Sequence, residues 1–538
     1  MAAAKYLTWS VLLIFTLSCA QEQRSVTANV FRYNQPNHIT SLDPAFAKSQ
    51  NNIWAIDHLF NGLVQLDDQL RVQPCIAKSW TIDQSGKVYT FQLRKDVWFH
   101  QDSCFGSAKR RIVVAADFVY SFNRIIDTLI QSPGSWIFQD KVIADKPFTA
   151  LNDSTFQIKL SRPFPPFLSI LSTQYCSVVP KEALQFYGSL FRKNPVGTGA
   201  FQFSKWIENQ SLFLKRNPSY FEFEGDRRLP YLDGVRIQFI ADKQIAYLEL
   251  LNGKLDLISG LEASYTNDLL TKDGYLKEKH TSKLQFLKNP YLNSEYFGIL
   301  QTGDNAYKAL TRPVRQALNY ALDRQAMMRT LRNGIGNPAN SGFSPAGLPS
   351  TDPSVAPGYE YNPQKASTLL AKAGYPGGKG LPEIVIHTNK DYLDICTYVS
   401  KQWENIGIRN RVEVLETATL REQMRQGEIG LFRASWIADY PDAESFLTVF
   451  YGPNPAPPNY TRYVNKDFDN LYDQAMNIAN DTLRYKSYQD LDKMIIEDAP
   501  CIFLFYDQTS LTVNKMYTGF SSNALNVLKL QRVRKIEN

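Results

Sequence analysis

Asp439 and Asp442 stand three residues apart in the stretch Trp436-Ile437-Ala438-Asp439-Tyr440-Pro441-Asp442. Paired carboxylates cleave glycosides when one is a protonated acid and the other an ionised base or nucleophile, held at a defined separation. Two acids around a proline turn offer no such division of labour. A different chemistry suits them better. A carboxylate beside an aromatic wall binds an ammonium group through charge-assisted hydrogen bonds, while the ring packs on apolar ligand surface. The plain alternative is a loop aspartate that caps its own turn, and the spacing leaves both readings open.

Other catalytic constellations are missing. The five histidines, His38, His58, His100, His280 and His387, form no HExxH or other metal spacing, so neither a zinc hydrolase nor a metal site is expected. His100 follows Val97-Trp98-Phe99 at a strand end and reads as a structural histidine. No G-x-S-x-G elbow, Walker A loop or strand-linked GxGxxG occurs. Gly197-Thr198-Gly199 invites a phosphate, but it lacks the Lys-Ser/Thr ending and reads as a tight turn into the strand Ala200-Phe201-Gln202-Phe203. No cofactor is implied.

The elements that must position these residues come from a chain of 538 residues. Single hydrophobic cores stop growing near about 250–300 residues, so two or three domains are expected. Alternating runs such as Tyr89-Thr90-Phe91-Gln92-Leu93 and Val235-Arg236-Ile237-Gln238-Phe239 read as half-buried strands. Helical periodicity covers residues 115–126, 313–331 and 363–372, with Asn362-Pro363 as an N-cap and first-turn pair. The fold class is mixed α/β. Lys+Arg 59 against Asp+Glu 52 is a small, scattered excess. The densest run, Lys109-Arg110-Arg111, is too short for a nucleic-acid footprint.

At the N-terminus Lys5 precedes an apolar run over residues 7–17, then Ser18, Cys19 and the polar Gln21-Glu22-Gln23-Arg24-Ser25. A membrane-spanning helix needs roughly 20 apolar residues, so residues 1–19 read as a secretory signal peptide. Ser18-Cys19 is similar to the bacterial lipobox, which implies acylation of Cys19 and a membrane anchor. Thr16 stands where leucine is usual, and cleavage near Ala20 with a soluble product is the other reading. Cys75, Cys104, Cys176, Cys396 and Cys501 remain, an odd set without CxxC spacing. An oxidising envelope would permit a disulfide, though a core of this size needs none.

Several segments in order carry a resemblance. They are Thr40-Ser41-Leu42-Asp43-Pro44-Ala45, His58-Leu59-Phe60-Asn61-Gly62-Leu63-Val64, Pro74-Cys75-Ile76-Ala77-Lys78-Ser79-Trp80 and Ala116-Asp117-Phe118-Val119-Tyr120-Ser121-Phe122. Downstream come Asn194-Pro195-Val196-Gly197-Thr198-Gly199-Ala200-Phe201, Arg216-Asn217-Pro218-Ser219-Tyr220, Arg315-Gln316-Ala317-Leu318-Asn319-Tyr320-Ala321-Leu322-Asp323-Arg324 and the Trp436–Asp442 stretch. Together they resemble the family 5 extracellular solute-binding proteins, the oligopeptide, dipeptide and nickel receptors of ABC importers.

The resemblance implies a periplasmic-binding-protein-like fold of two lobes and three domains. Domain I would comprise residues 20–50, 192–290 and 503–538, domain II residues 51–191 and domain III residues 291–502. Crossings are expected near Tyr296-Phe297-Gly298 and Phe503-Leu504-Phe505, with ligand held between closing lobes. It also implies an exported monomer of the periplasm that does no bond chemistry, captures oligopeptides outside the cytoplasmic membrane and passes them to an ABC permease. Asp439 would pair with the ligand's α-ammonium and Trp436 would wall a side-chain pocket. Tyr440, Ser49 and His387 complete the implied ligand-binding set. Dipeptide-specific members carry an arginine for the ligand carboxylate on the strand aligned with Val385-Ile386-His387-Thr388-Asn389, where this chain has none. His387, Arg409, Arg411 and Arg433 are the candidates left. A nickel chelate, haem or oligosaccharide ligand stays open, and a hydrolase is the more distant alternative.

Overall fold

The computed structural model describes residues 29–305 and 307–536. Two of the expected helices have the expected bounds. Ala115–Ile126 begins where the Val114 N–H donates to Asp117 Oδ2 at 2.9 Å, and it buries Phe118, Phe122 and Ile125. Pro363–Lys372 begins where Asn362 Oδ1 accepts the Lys365 N–H at 2.9 Å. The third segment, expected as one helix over residues 313–331, is two: Arg312–Tyr320 and Arg324–Leu331. Asp323 makes the break by accepting the Ala326 N–H at 2.9 Å as a new N-cap.

The break turns Arg324 inward to 2% exposure, and burial pushes its guanidinium down to about 10. A buried cation is tolerable only with its donors satisfied. Carbonyls do this here, at Phe503 (2.7 Å), Tyr359 (3.0 Å) and Asn319 (3.1 Å). Asn319 meanwhile bridges strand backbone, donating to the Cys501 carbonyl and accepting the Phe503 N–H, each at 3.1 Å. The Arg315–Arg324 motif therefore clamps the strand that begins at Cys501.

That strand, Cys501–Asn514, and its antiparallel partner Leu284–Ile299 are the longest in the chain's described residues, and they lie at the centre of an 11-stranded mixed sheet. From one edge the order is Asn410–Val414, Ile384–Thr388, Leu431–Ile437, Leu284–Ile299, Cys501–Asn514, Leu257–Ser259, Val30–Asn34, Gly234–Gln238, Ser211–Arg216 and Phe201–Ile207, and the eleventh strand, Asn337–Pro338, pairs off this path with Cys501–Asn514. The register of the central pair breaks between Pro290↔Gln508 and Ser294↔Tyr506. A break of this kind bends the ladder. On one side of it, residues 31–239 and 511–533 share a hydrophobic core. On the other, cores form almost wholly from residues 292–506. The sheet thus runs through two lobes, with Tyr296–Gly298 and Phe503–Phe505 on the second lobe's side of the break.

A separate antiparallel sheet, Ala77–Ile82, Val88–Leu93, Thr155–Lys159 and Phe148–Asn152, carries the helix Ala115–Ile126 on one face. Phe122 packs there against Phe148 and Phe156, with ring centroids 5.4 and 5.6 Å apart. Cys75, Cys104, Cys176, Cys396 and Cys501 are free thiols. Among the described residues no helix is long and apolar enough to cross a membrane. Residues 1–28, with Cys19, lie outside the description.

Gly197-Thr198-Gly199 is a packing device. The Gly199 N–H donates to the Leu59 carbonyl at 2.9 Å, at the end of the helix Gln50–Leu59. A Cβ on Gly197 would stand 2.0 Å from the Leu59 carbonyl oxygen, and one on Gly199 2.4 Å from that of His58. His100 is the structural histidine expected, 5% exposed, with Nε2 3.0 Å from the Gly199 carbonyl. We expect Gly197→Ala to cost about 1–3 kcal/mol through overpacking against backbone that cannot yield. The reading is a lower urea midpoint at unchanged slope; an unmoved midpoint would contradict the packing role.

Candidate functional site

The strand Leu431–Ile437 delivers the acidic loop. It pairs with the long central strand from Leu431↔Ile299 to Ile437↔Asn293, and the Ala438 N–H still reaches the Leu292 carbonyl at 2.9 Å. Asp439 is the next residue and is free of the ladder, level with the register break where the lobes meet.

Beyond it the loop is tied down. Asp442 Oδ1 accepts the Glu444 N–H at 2.9 Å, and the Ser445 N–H reaches the Asp442 carbonyl at 3.1 Å. The Trp436 indole N–H donates to the Ser445 carbonyl, and Glu444 receives the hydroxyls of both Tyr440 and Tyr472. Asp442 is 6% exposed with Arg484 3.8 Å away, and burial pushes its carboxyl up to about 6. The two aspartates therefore divide the readings between them. Asp442 caps its own turn, whereas the Asp439 carboxylate accepts no hydrogen bond among the described residues. Asp439 is exposed, but into a cleft, and the protein massed around that cleft desolvates its carboxyl and raises it above its ordinary range.

The cleft holds a cavity of about 600 Å³, within the roughly 300–1,000 Å³ of small-ligand sites. Ile437, Ala438, Asp439 and Tyr291 line one side. Facing them are Lys48, Asp57, Trp136, Gln174 and Tyr175, with Asn523 and Lys529 from the chain's last segment. Burial, and after it the charge of Asp439, pushes the Tyr175 hydroxyl up to about 12. Lys48 is exposed and makes no ion pair or side-chain hydrogen bond among the described residues. It follows the short helix Pro44–Phe46, which Asp43 caps while receiving both Arg124 terminal nitrogens.

Of the residues implied by the family resemblance, Asp439 lines this cavity and the others stand around it or away from it. Tyr440 is buried and stacks on the lining residue Trp136 across the cleft, with centroids 6.0 Å apart at 24°. Trp436 is half-buried against the second lobe's core. Ser49 accepts the Asn52 N–H at 3.4 Å and caps Gln50–Leu59, between the lining residues Lys48 and Gln50. His387 lies on Ile384–Thr388 with Nδ1 3.0 Å from the Leu431 carbonyl, away from the lining.

None of the candidate arginines, Arg409, Arg411 and Arg433, is among the lining residues. Arg433 is paired with buried Glu295 and stacked over Tyr392, and Arg411 is paired with Glu413 at 2.8 Å. Lys48, Asp57, Trp136, Tyr175 and Lys529 were missed by sequence reasoning. Gln50, Ile53 and Asp57 share a helix face at spacings of three and four, which could have flagged Asp57; the rest come from distant segments. A second hollow, of about 920 Å³, meets the first at Tyr291. Its arginines are already paired, Arg329 with Asp273 at 3.1 Å and Arg332 with Asp507 at 2.6 Å. Among the described residues no group of three or more His, Cys, Asp or Glu could hold a metal.

Asp442 makes stability depend on pH. Its folded pKa, about 6, lies above the unfolded value, so the folded state binds the proton first and stability rises as pH falls from about 7 to 5. This share amounts to about 1 kcal/mol. Asp442→Asn keeps an acceptor for the Glu444 N–H and removes the titration. Denaturant curves at both pH values should show the variant lacking that increment; an unchanged pH dependence would exclude Asp442 as its source.

Residues 71–458 match the family described as bacterial extracellular solute-binding proteins, family 5 Middle. The chain is 28% identical over 514 residues to the periplasmic oligopeptide-binding protein OppA of Salmonella typhimurium, covering 91% of this chain and 89% of that protein. It is 28% identical over 505 residues to heme-binding protein A of Haemophilus influenzae, covering 89% and 88%. Its fold is similar to that of HbpA2 from Haemophilus parasuis, with a TM-score of 0.83 at 24% identity over 95% of this chain and 100% of that one. With a mixed α/β sheet running through two lobes, the chain belongs to the family 5 bacterial extracellular solute-binding proteins.

Proposed function

We propose that the chain captures small peptides outside the cytoplasmic membrane, binding the free N-terminus at Asp439, and hands them to an ABC importer without breaking any bond. The observation that carries this reading is the unpaired, partly desolvated Asp439 carboxylate at the lobe junction, with the unpaired ammonium of Lys48 across the same cavity. A zwitterionic peptide complements the two, its ammonium to Asp439 and its carboxylate to Lys48. Lys48 takes the part that an arginine on Ile384–Thr388 has in dipeptide-specific relatives. The register break between Pro290 and Ser294 is the pivot about which the lobes close. The name of OppA supports the peptide class. Haem, the ligand in the name of the Haemophilus relative, carries two propionates and no amine, and Asp439 would repel rather than anchor it.

Asp439→Asn should weaken binding of peptides with free N-termini by about 2–5 kcal/mol, the usual cost of removing one partner of an enclosed charge pair. Binding to the wild type should also fall as pH drops through the raised Asp439 pKa, because the protonated acid no longer attracts the ammonium. The asparagine variant should lose that pH dependence. Calorimetry with free and N-acetylated peptides decides the point, and equal affinity for both sinks the assignment. For the anchor we propose acylation at Cys19. Metabolic labelling with a fatty-acid analogue should mark the wild type and leave Cys19→Ser unmarked; label retained by the variant would exclude Cys19.

A further inference from the structure

Beyond Asp439 the cavity reaches a second carboxylate. We propose that its far wall is a subsite for a basic side chain, lysine or arginine, with Asp57 as the residue that selects it; the inference rests on the peptide reading above. Asp57 lies on Gln50–Leu59, one turn after Ile53, and both line the cavity. Its one side-chain hydrogen bond among the described residues comes from Gln174 Nε2 at 3.1 Å, and it forms no ion pair there. The nearby charge is short of balance. Glu222 adds a second carboxylate, accepting from the lining residue Gln65 at 2.8 Å. Lys529 is the cation felt by Asp57, and its ammonium is held by the Leu66 carbonyl at 2.6 Å. Burial raises the Asp57 carboxyl, as expected of an enclosed acid without a counter-ion in contact.

The remainder of this wall suits the stem of a long basic side chain. Cys75, Phe201 and Tyr220 are among the lining residues and, being buried, give this wall an apolar backing for methylenes. Four charged lining groups form no ion pair among the described residues, Asp439, Asp57, Lys48 and Lys529, and of these Lys529 is already held by the Leu66 carbonyl at 2.6 Å. A short peptide containing one lysine or arginine brings two cations and one carboxylate, which complement Asp439, Asp57 and Lys48 sign for sign while Lys529 stays on the Leu66 carbonyl. An apolar side chain would leave Asp57 further desolvated and unpaired on closure, and an acidic one would add repulsion.

The test is calorimetry on protein freed of co-purified ligand. The probes are Ala-Ala-Ala, three tripeptides with lysine at each position in turn, and three with norleucine in its place. Norleucine keeps the stem and removes the ammonium, so each pair isolates the charge. One lysine position should bind about tenfold or more tightly than its norleucine counterpart, and Asp57→Asn should erase that ratio. Binding of Ala-Ala-Ala without a lysine advantage at any position overturns the subsite, as does an advantage that survives in Asp57→Asn. The wild-type comparison needs no variant, so a poorly folded Asp57→Asn does not shield the proposal. If no tripeptide binds, the peptide reading itself fails and this inference goes with it, a result distinct from loss of the lysine advantage alone.

Discussion

The register break in the central strand pair is the constraint on which the rest of the architecture depends. Leu284–Ile299 and Cys501–Asn514 pair on both sides of it, so one hydrogen-bonded sheet belongs to two cores. Three residues, Tyr291, Leu292 and Asn293, oppose the single Asp507 there. The ladder is continuous enough to fix the lobes' relative position and interrupted enough to bend. The family's Arg315–Arg324 motif serves the same strands. A second irregularity follows between Glu295↔Phe505 and Tyr296↔Phe503, and Asn319 and Arg324 bond the strand backbone at Cys501 and Phe503 just beyond it, inside the second lobe.

The same break places the site. Leu431–Ile437 runs beside the long strand and ends where its partner's register fails, so the residue after Ala438 is delivered to the lobe junction by hydrogen bonding alone. A carboxylate kept there without a partner carries a desolvation cost, and the surrounding loop bears it. Asp442 closes the turn, Trp436 and Ser445 bridge it, and Tyr440 and Tyr472 hold Glu444 behind it. The unpaired acid thus stands in a loop whose turn is closed by the hydrogen bonds of its neighbours.

How much was legible in the sequence follows from the range of the interactions involved. Helices 115–126 and 363–372 could be read because cap, periodicity and stop all lie within one segment. The stretch 313–331 reads as a single helix because the periodicity continues through Asp323. What breaks it is the inward turn of Arg324 onto the Phe503 and Tyr359 carbonyls, partners far along the chain. The glycines at 197 and 199 could be named as a turn, but their contact with the end of Gln50–Leu59 depends on a distant element. Asp439 stood out through its motif, although the residues alone could not separate it from Asp442. Lys48, Trp136, Tyr175 and Lys529 come from four stretches that only the folded chain brings together.

Motif residues and cavity residues here are largely different sets, and the difference is physical. Asp43 with Arg124, Asn319 with Arg324 and Gly197 with Leu59 satisfy buried groups or close contacts that any ligand specificity requires, so a family of receptors can share them. The cavity wall needs only to remain walled, which leaves its charges free to differ. Lys48 follows the Asp43–Arg124 brace, and Asp57 precedes the His58–Gly62 stretch whose backbone Gly197 and Gly199 pack against. Each of these cavity charges is thus mounted next to a paired or close-packed support. That arrangement permits one scaffold to present a carboxylate, an ammonium or neither to the ligand without loss of the fold, and in this chain it presents Asp439, Asp57 and Lys48 around one cavity.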